Sequence, residues 1–146
     1  MKFFDVLPQL AENELLKRGV MTDELLYCVK ADLDGDGGYV DVYITFTKGT
    51  LCILRGYEEY GKMKRGQKRK NLVSFTVSGY DEYPIDSIEE MFVDRYANSA
   101  RLMIKDKSGK EFPIARFSLG FADQFENFSQ RVNCTAPTEP IDDRRL

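Results

Sequence analysis

The sequence predicts an α+β, mainly β fold: a seven-stranded antiparallel bent barrel or sandwich, capped by a C-terminal amphipathic helix and preceded by one extra helix. Three observations predict it. In 119–133 the apolar residues Phe121, Phe125, Phe128 and Val132 recur at i, i+4, i+7 and i+11, which lines one face of a helix. In 39–46, Val40, Val42, Ile44 and Phe46 alternate with Tyr39, Asp41, Tyr43 and Thr45, the period-two pattern of a strand. Further on, Ala100, Leu102 and Ile104 alternate with Arg101, Met103 and Lys105, and after a Lys107-Ser108-Gly109-Lys110 turn Phe112 and Ile114 take up the alternation again. A sheet with one apolar face and a helix with one apolar stripe bury each other, because either alone would leave that surface in water.

Taken in order, 7–18 reads as a first helix, with Pro8 in its first turn, Leu10, Ala11, Leu15 and Leu16 on one side, and Gly19 at the C-terminal cap. Residues 24–31 have strand composition, and an Asp/Gly-rich turn at 32–38 joins them to the 39–46 strand as a hairpin. Lys48-Gly49 turns the chain into a third strand at 51–54. The charged, glycine-containing stretch 57–71 reads as a loop, 72–78 as a fourth strand, 79–84 as a turn and 90–94 as a fifth strand. Two more strands and the closing helix follow. The tail is polar, contains Pro137 and Pro140, and has no periodicity, as a linker would. The expected organisation is therefore a helix and lead-in at 1–23, a β domain at 24–133, and a linker or tail at 134–146.

With 146 residues, 42% hydrophobic and 31% charged, the chain can bury one core and has the balance of a soluble globular protein. The net charge of −3 and pI near 5.1 argue against a nucleic-acid partner and confine any anion binding to a local patch. Cys28, Cys52 and Cys134 are odd in number and widely spaced, so they read as buried reduced thiols rather than a disulfide framework or zinc site. No run of about 18 apolar residues and no signal-peptide pattern is present, and the chain reads as cytoplasmic. The absence of histidine removes Ser-His-Asp and Cys-His arrangements, and the adjacent carboxylates Glu58/Glu59, Glu89/Glu90 and Asp142/Asp143 point apart in an extended chain. The expectation is a chain that is not an enzyme and takes no cofactor.

Two stretches are candidates for binding. Asp32, Asp34 and Asp36, followed by Gly37, match the start of a calcium loop, in which alternate carboxylates gather around the ion. The ninth and twelfth positions are Val40 and Tyr43, so the run reads as a hairpin turn, with weak calcium binding as the residual alternative. Lys62, Lys64, Arg65, Lys68, Arg69 and Lys70 put six positive charges into nine residues. Such a run can contact an anionic membrane surface, each basic residue contributing about 1 kcal/mol near an acidic leaflet. The alternative is a solvated loop. Tyr39, Tyr43, Tyr57, Tyr60 and Tyr80 point to aromatic surface near a sheet edge, suited to a protein partner.

Seven antiparallel strands in a four-plus-three meander closed by one helix resemble the pleckstrin-homology-like (PH/GRAM-like) domains of bacteria. The resemblance covers about 25–132 and is most specific in Tyr83-Pro84-Ile85-Asp86-Ser87-Ile88-Glu89-Glu90-Met91, Arg101-Leu102-Met103-Ile104-Lys105, Phe112-Pro113-Ile114-Ala115-Arg116-Phe117 and Phe121-Ala122-Asp123-Gln124-Phe125. It implies a binding or docking module. Phe125 and Phe128 stand where eukaryotic pleckstrin-homology domains usually carry a tryptophan, and the N-terminal helix is outside the common core. Asp32, Asp34 and Asp36 occupy the first hairpin, where lipid-binding members carry basic residues, so phosphoinositide binding is not carried over. The Met1-Lys2-Phe3-Phe4 start and the polar end with Asp142, Asp143, Arg144 and Arg145 are similar to the cytosolic N-terminal region of some bacterial ABC exporters. That likeness implies covalently linked membrane domains and a place at the cytoplasmic face of the membrane. The alternative is a stand-alone domain that binds a protein or an acidic membrane surface.

Overall fold

Seven antiparallel strands make one sheet: β1 (Tyr27–Asp34), β2 (Tyr39–Phe46), β3 (Thr50–Tyr60), β4 (Leu72–Pro84), β5 (Ile88–Arg95), β6 (Ala100–Asp106) and β7 (Glu111–Phe117). Two helices, α1 (Gln9–Lys17) and α2 (Ala122–Thr135), precede and follow them. This computed structural model describes residues 7–21, 24–35, 38–61, 65–66, 72–96, 99–117 and 122–135. The strand order is β4-β3-β2-β1-β7-β6-β5, so the first four strands and the last three are each a meander, joined where β1 pairs with β7 through Leu33↔Arg116 and Asp34↔Ala115.

The sheet curls strongly without closing. Tyr83 of β4 and Phe112 of β7 stand four strands apart in that order, which in a flat sheet would separate them by roughly 19 Å at about 4.8 Å per strand. Their ring centroids are 5.6 Å apart. The short 3-10 turn Ile85–Ser87 between β4 and β5 helps to fold one half over the other, with Ile85 N–H donating to Gly49 C=O and Lys107 N–H to Ser87 C=O. Ile85 itself is buried in the space this creates.

That space is the main core. It takes Val40, Val42, Ile44 and Phe46 from β2, Leu51 and Ile53 from β3, Ile88 and Met91 from β5, Leu102 and Ile104 from β6, and Phe125, Phe128 and Val132 from α2. The predicted helical stripe is thus where its spacing puts it, while Phe121 lies outside the described residues. Phe128 meets Phe46 edge-on at 5.2 Å, the favoured arrangement of ring edge against ring face, and Tyr27 at a tilt at 5.9 Å. Asn133 at the end of α2 pairs its side-chain amide with both backbone groups of Met91, at 2.8 and 3.0 Å, and so ties the helix to β5.

A second apolar cluster lies on the outside of the first four strands. Leu7, Ala11 and Leu15 of the α1 region meet Leu25, Cys28, Tyr43, Cys52 and Leu54, with Phe75, Val77 and Tyr80 half-buried beside them. α1 stops at Gly19 as expected, in a left-handed conformation with φ of 87° that an L side chain would resist. Ala11 and Leu15 are its buried side; Leu16, expected with them, is 47% exposed.

Several boundaries differ from expectation. β3 continues to Tyr60 and β4 runs unbroken to Pro84, so 57–60 and 79–84 are strand rather than loop and turn. Both are absorbed into one long ladder, because irregularities at Arg55/Gly56 and Glu59/Tyr60 bend the pair and keep it paired. β5 is also longer than predicted, Ile88–Arg95.

Candidate functional site

The aspartate turn is a hairpin turn. Asp34 Oδ1 accepts from Gly38 N–H at 2.9 Å, and Asp34 N–H donates to Gly38 C=O at 2.9 Å, which is how an Asp side chain commonly stabilises such a reversal. Asp36 lies outside the described residues, and no grouping of three potential metal ligands occurs among those described. Of the basic run only Arg65 is described, and it is exposed; Lys62, Lys64, Lys68, Arg69 and Lys70 lie outside the described residues. The run enters from Tyr60 and leaves into Leu72, so it is attached to the far end of the β3–β4 ladder. Among the described residues no helix is long and apolar enough to cross a membrane. Cys28 and Cys52 are buried, and burial pushes both thiols up from their ordinary range, whereas Cys134 is exposed, contrary to expectation.

On the outer face, beside the α1 cluster, a polar network joins β1, β2 and β3. Lys30 and Tyr43 are cross-strand partners, and Asp41 faces Gly56 two residues before Glu58. Strand alternation therefore turns Lys30, Asp41, Tyr43 and Glu58 to one side. Gly56 is needed there, because a Cβ would stand 2.6 Å from the Phe75 ring that crosses β3. The Glu58 carboxylate is only 2% exposed; it receives Lys30 Nζ at 2.6 Å, Tyr60 OH at 2.5 Å and the Tyr43 hydroxyl. Asp41 accepts the Glu58 backbone N–H at 2.9 Å and stands 3.7 Å from Lys30 Nζ.

The chemistry of this network is that of a locked ion pair. Burial alone would lower the Lys30 pKa, but the hydrogen bond to Glu58 and the surrounding negative charge outweigh it, and the ammonium is held above its ordinary value. A lysine held protonated is not a nucleophile. Three donors occupy the Glu58 carboxylate, roughly three of its four lone-pair sites. The Tyr60 hydroxyl is also pushed up, by burial first and then by its bond to Glu58. These contacts hold the Tyr60 hydroxyl in place at the surface.

The surface they position is a rim at the free ends of β2, β3 and β4. Tyr39 is 81% exposed, Val73 57%, Tyr57 55% and Tyr60 46%, while Tyr60 is anchored from beneath by Glu58. Tyr43, expected among the surface tyrosines, is instead buried between the network and the α1 cluster, and Tyr80 is half-buried under Arg18. No sequence signal linked Lys30 to Glu58 across 28 residues; the pair is made by the β1–β2–β3 register, which forms only once 57–60 is strand rather than loop. A separate open groove of about 690 Å³ runs between α2 and the ends of β1 and β2, where Arg131 stacks on Tyr27 at 4.4 Å.

Compared with known proteins, the chain matches no family model, no curated protein and no solved structure.

Proposed function

We propose that this chain is a non-catalytic, pleckstrin-homology-like docking domain that binds a protein partner through the rim formed by the free ends of β2, β3 and β4. One observation carries the reading: of the eight large apolar side chains exposed among the described residues, Tyr39, Tyr57, Tyr60 and Val73 all lie at the end of the sheet where β2 starts, β3 ends and β4 starts, Tyr57 on the opposite face of β3 from Tyr60. Exposed apolar residues are ordinary when scattered, and a cluster of them framed by charges is the composition of an interface. Tyrosine suits the task, since it presents a large rigid face and a polar tip. The strand order and the C-terminal helix on the main core agree with the resemblance read from the sequence.

The test compares the wild-type chain with a Tyr39→Ser, Tyr57→Ser, Val73→Ser variant as baits in lysate of the source organism. The reading expects a protein retained by the first and lost by the second, with equal thermal stability; equal retention by both would overturn it. A second reading, contact with an acidic membrane surface, is favoured by the attachment of the basic run to the same rim. It expects retention on acidic vesicles at low salt, release near 0.15 M, and loss of retention on Lys68→Glu, Arg69→Glu, Lys70→Glu. We further propose that the domain is the cytosolic N-terminal docking part of a larger membrane transporter of the ABC exporter type, where tethering would raise the effective concentration of a weak contact. Transmembrane segments and a phosphate loop encoded beyond Leu146 would establish this, and a stop codon there would end it.

A further inference from the structure

We infer that Arg101 and Arg116, held side by side on the outer face of β6 and β7, form a binding site for a phosphate group, a ligand distinct from the partner read at the rim. The register places Asp94, Arg101, Arg116, Leu33 and Tyr39 in one row across five strands, each the cross-strand partner of the next. Two arginines are therefore direct neighbours in the sheet, an arrangement that like charge disfavours. Asp94 accepts from Arg101 Nη2 at 2.7 Å, and its carboxyl is held below the ordinary range by that bond, then by the Tyr96 hydroxyl and the charges of both arginines. Among the described residues no carboxylate forms an ion pair with Arg116. One carboxylate thus faces two guanidinium groups, and the row keeps an excess positive charge in a chain whose net charge is −3.

The two guanidinium groups are also prearranged. Both stack on the same ring, Arg101 at 5.3 Å and Arg116 at 5.4 Å from the Tyr96 centroid, and Tyr96 is itself tied to Asp94 at 3.1 Å. The Nε of each arginine is buried and has no hydrogen-bond acceptor among the described residues. Buried donors are normally satisfied, and a pair of unsatisfied ones beside a like-charge contact is a local conflict that proteins retain where a ligand resolves it. A phosphate group relieves the like-charge contact from the exposed side: its charge cancels the excess, and its several oxygens suit two planar forks of donors at once, the Arg101 side chain being 25% exposed. Because Tyr96 already orders both side chains, little rotamer freedom is lost on binding. The source of the phosphate, a soluble ester or a lipid headgroup, is decided by experiment.

The experiment titrates the full chain, labelled with ¹⁵N, with inorganic phosphate and then with glycerol phosphate, at constant ionic strength held by chloride. Expected are saturable shifts of the Arg101 and Arg116 Nε–H signals and a melting temperature that rises with phosphate as ligand linkage requires. Arg116→Gln should abolish both responses while leaving the melting temperature in phosphate-free chloride buffer unchanged or higher, since it removes a like-charge contact. Arg116→Lys, which keeps the charge and loses the fork, should weaken binding about tenfold. Vesicles of neutral lipid containing phosphatidic acid form the last arm: retention that Arg116→Gln abolishes assigns the headgroup, and a response to soluble phosphate alone assigns a free ester. The inference is overturned if neither phosphate nor these vesicles gives a saturable response, or if Arg116→Gln keeps the response. It is equally overturned if Arg116→Gln lowers the melting temperature without phosphate, which would mark the stack as structural.

Discussion

Strands β1–β3 bury apolar side chains on both faces, in the main core inside and in the α1 cluster outside, with β4 half-buried beside them, whereas β5–β7 bury one face and leave Glu89, Glu90, Arg101 and Lys105 on the other. In β2 the five residues Val42, Tyr43, Ile44, Thr45 and Phe46 are all buried in succession, a continuous pattern that two-sided cover produces. In β5 only Ile88 and Met91 are buried, and the strand keeps its charges. The comparison teaches where function can sit. A half whose faces are both used for stability has only its ends to offer a partner, and the aromatic rim is at those ends; a half with one free face can build a site on that face, as the arginine row does.

The largest expected effect breaks the shared inner core. Phe128→Ala, which removes a fully buried ring from between Phe46 and Tyr27, should destabilise by about 3–5 kcal/mol in denaturant melts. Both halves should unfold together, since that core draws on both. A smaller loss tests the outer cover: Leu15→Ala should cost about 2–3 kcal/mol, toward the low end for buried leucine because a nine-residue helix can settle into the gap. A loss below about 0.5 kcal/mol would mean that α1 is not a cover and that the two halves are alike.

Third, the ion pair beneath the rim. Glu58→Gln leaves Lys30 without its closest counter-charge and should cost about 1–3 kcal/mol at neutral pH. Its pH signature has a definite sign. Lys30 and Tyr60 both have raised values in the folded chain, so the native state holds their protons more tightly than the unfolded one. Stability from these groups is fully present below about 10, the ordinary tyrosine value, and falls as pH rises through the raised folded values. A Lys30→Met, Tyr60→Phe chain should lose that alkaline slope, as read by denaturant melts across the range.

Much of this was legible in local pattern. The α2 stripe of Phe125, Phe128 and Val132 and the alternation of β2 are periodic signals, and each is a property of a few adjacent residues. The Asp34–Gly38 turn was equally local. What stayed hidden depends on distant partners: Glu58 and Glu59 look like loop until β4 pairs with them, and the 79–84 segment looks like a turn until β3 runs beside it. Tyr43 reads as outward-facing because its cover, α1, lies far away in the chain. The same holds for the arginine row, since Arg101 and Arg116 become neighbours only through the β6–β7 register.

The rim account meets its most direct test in cross-linking. A photoreactive benzoylphenylalanine placed at Tyr39 or at Val73, and as a control at the exposed turn residue Lys107, would be irradiated in cells of the source organism. The account predicts one discrete protein adduct shared by positions 39 and 73 and absent from 107; adducts equally frequent at all three positions, or none at the rim, would contradict it.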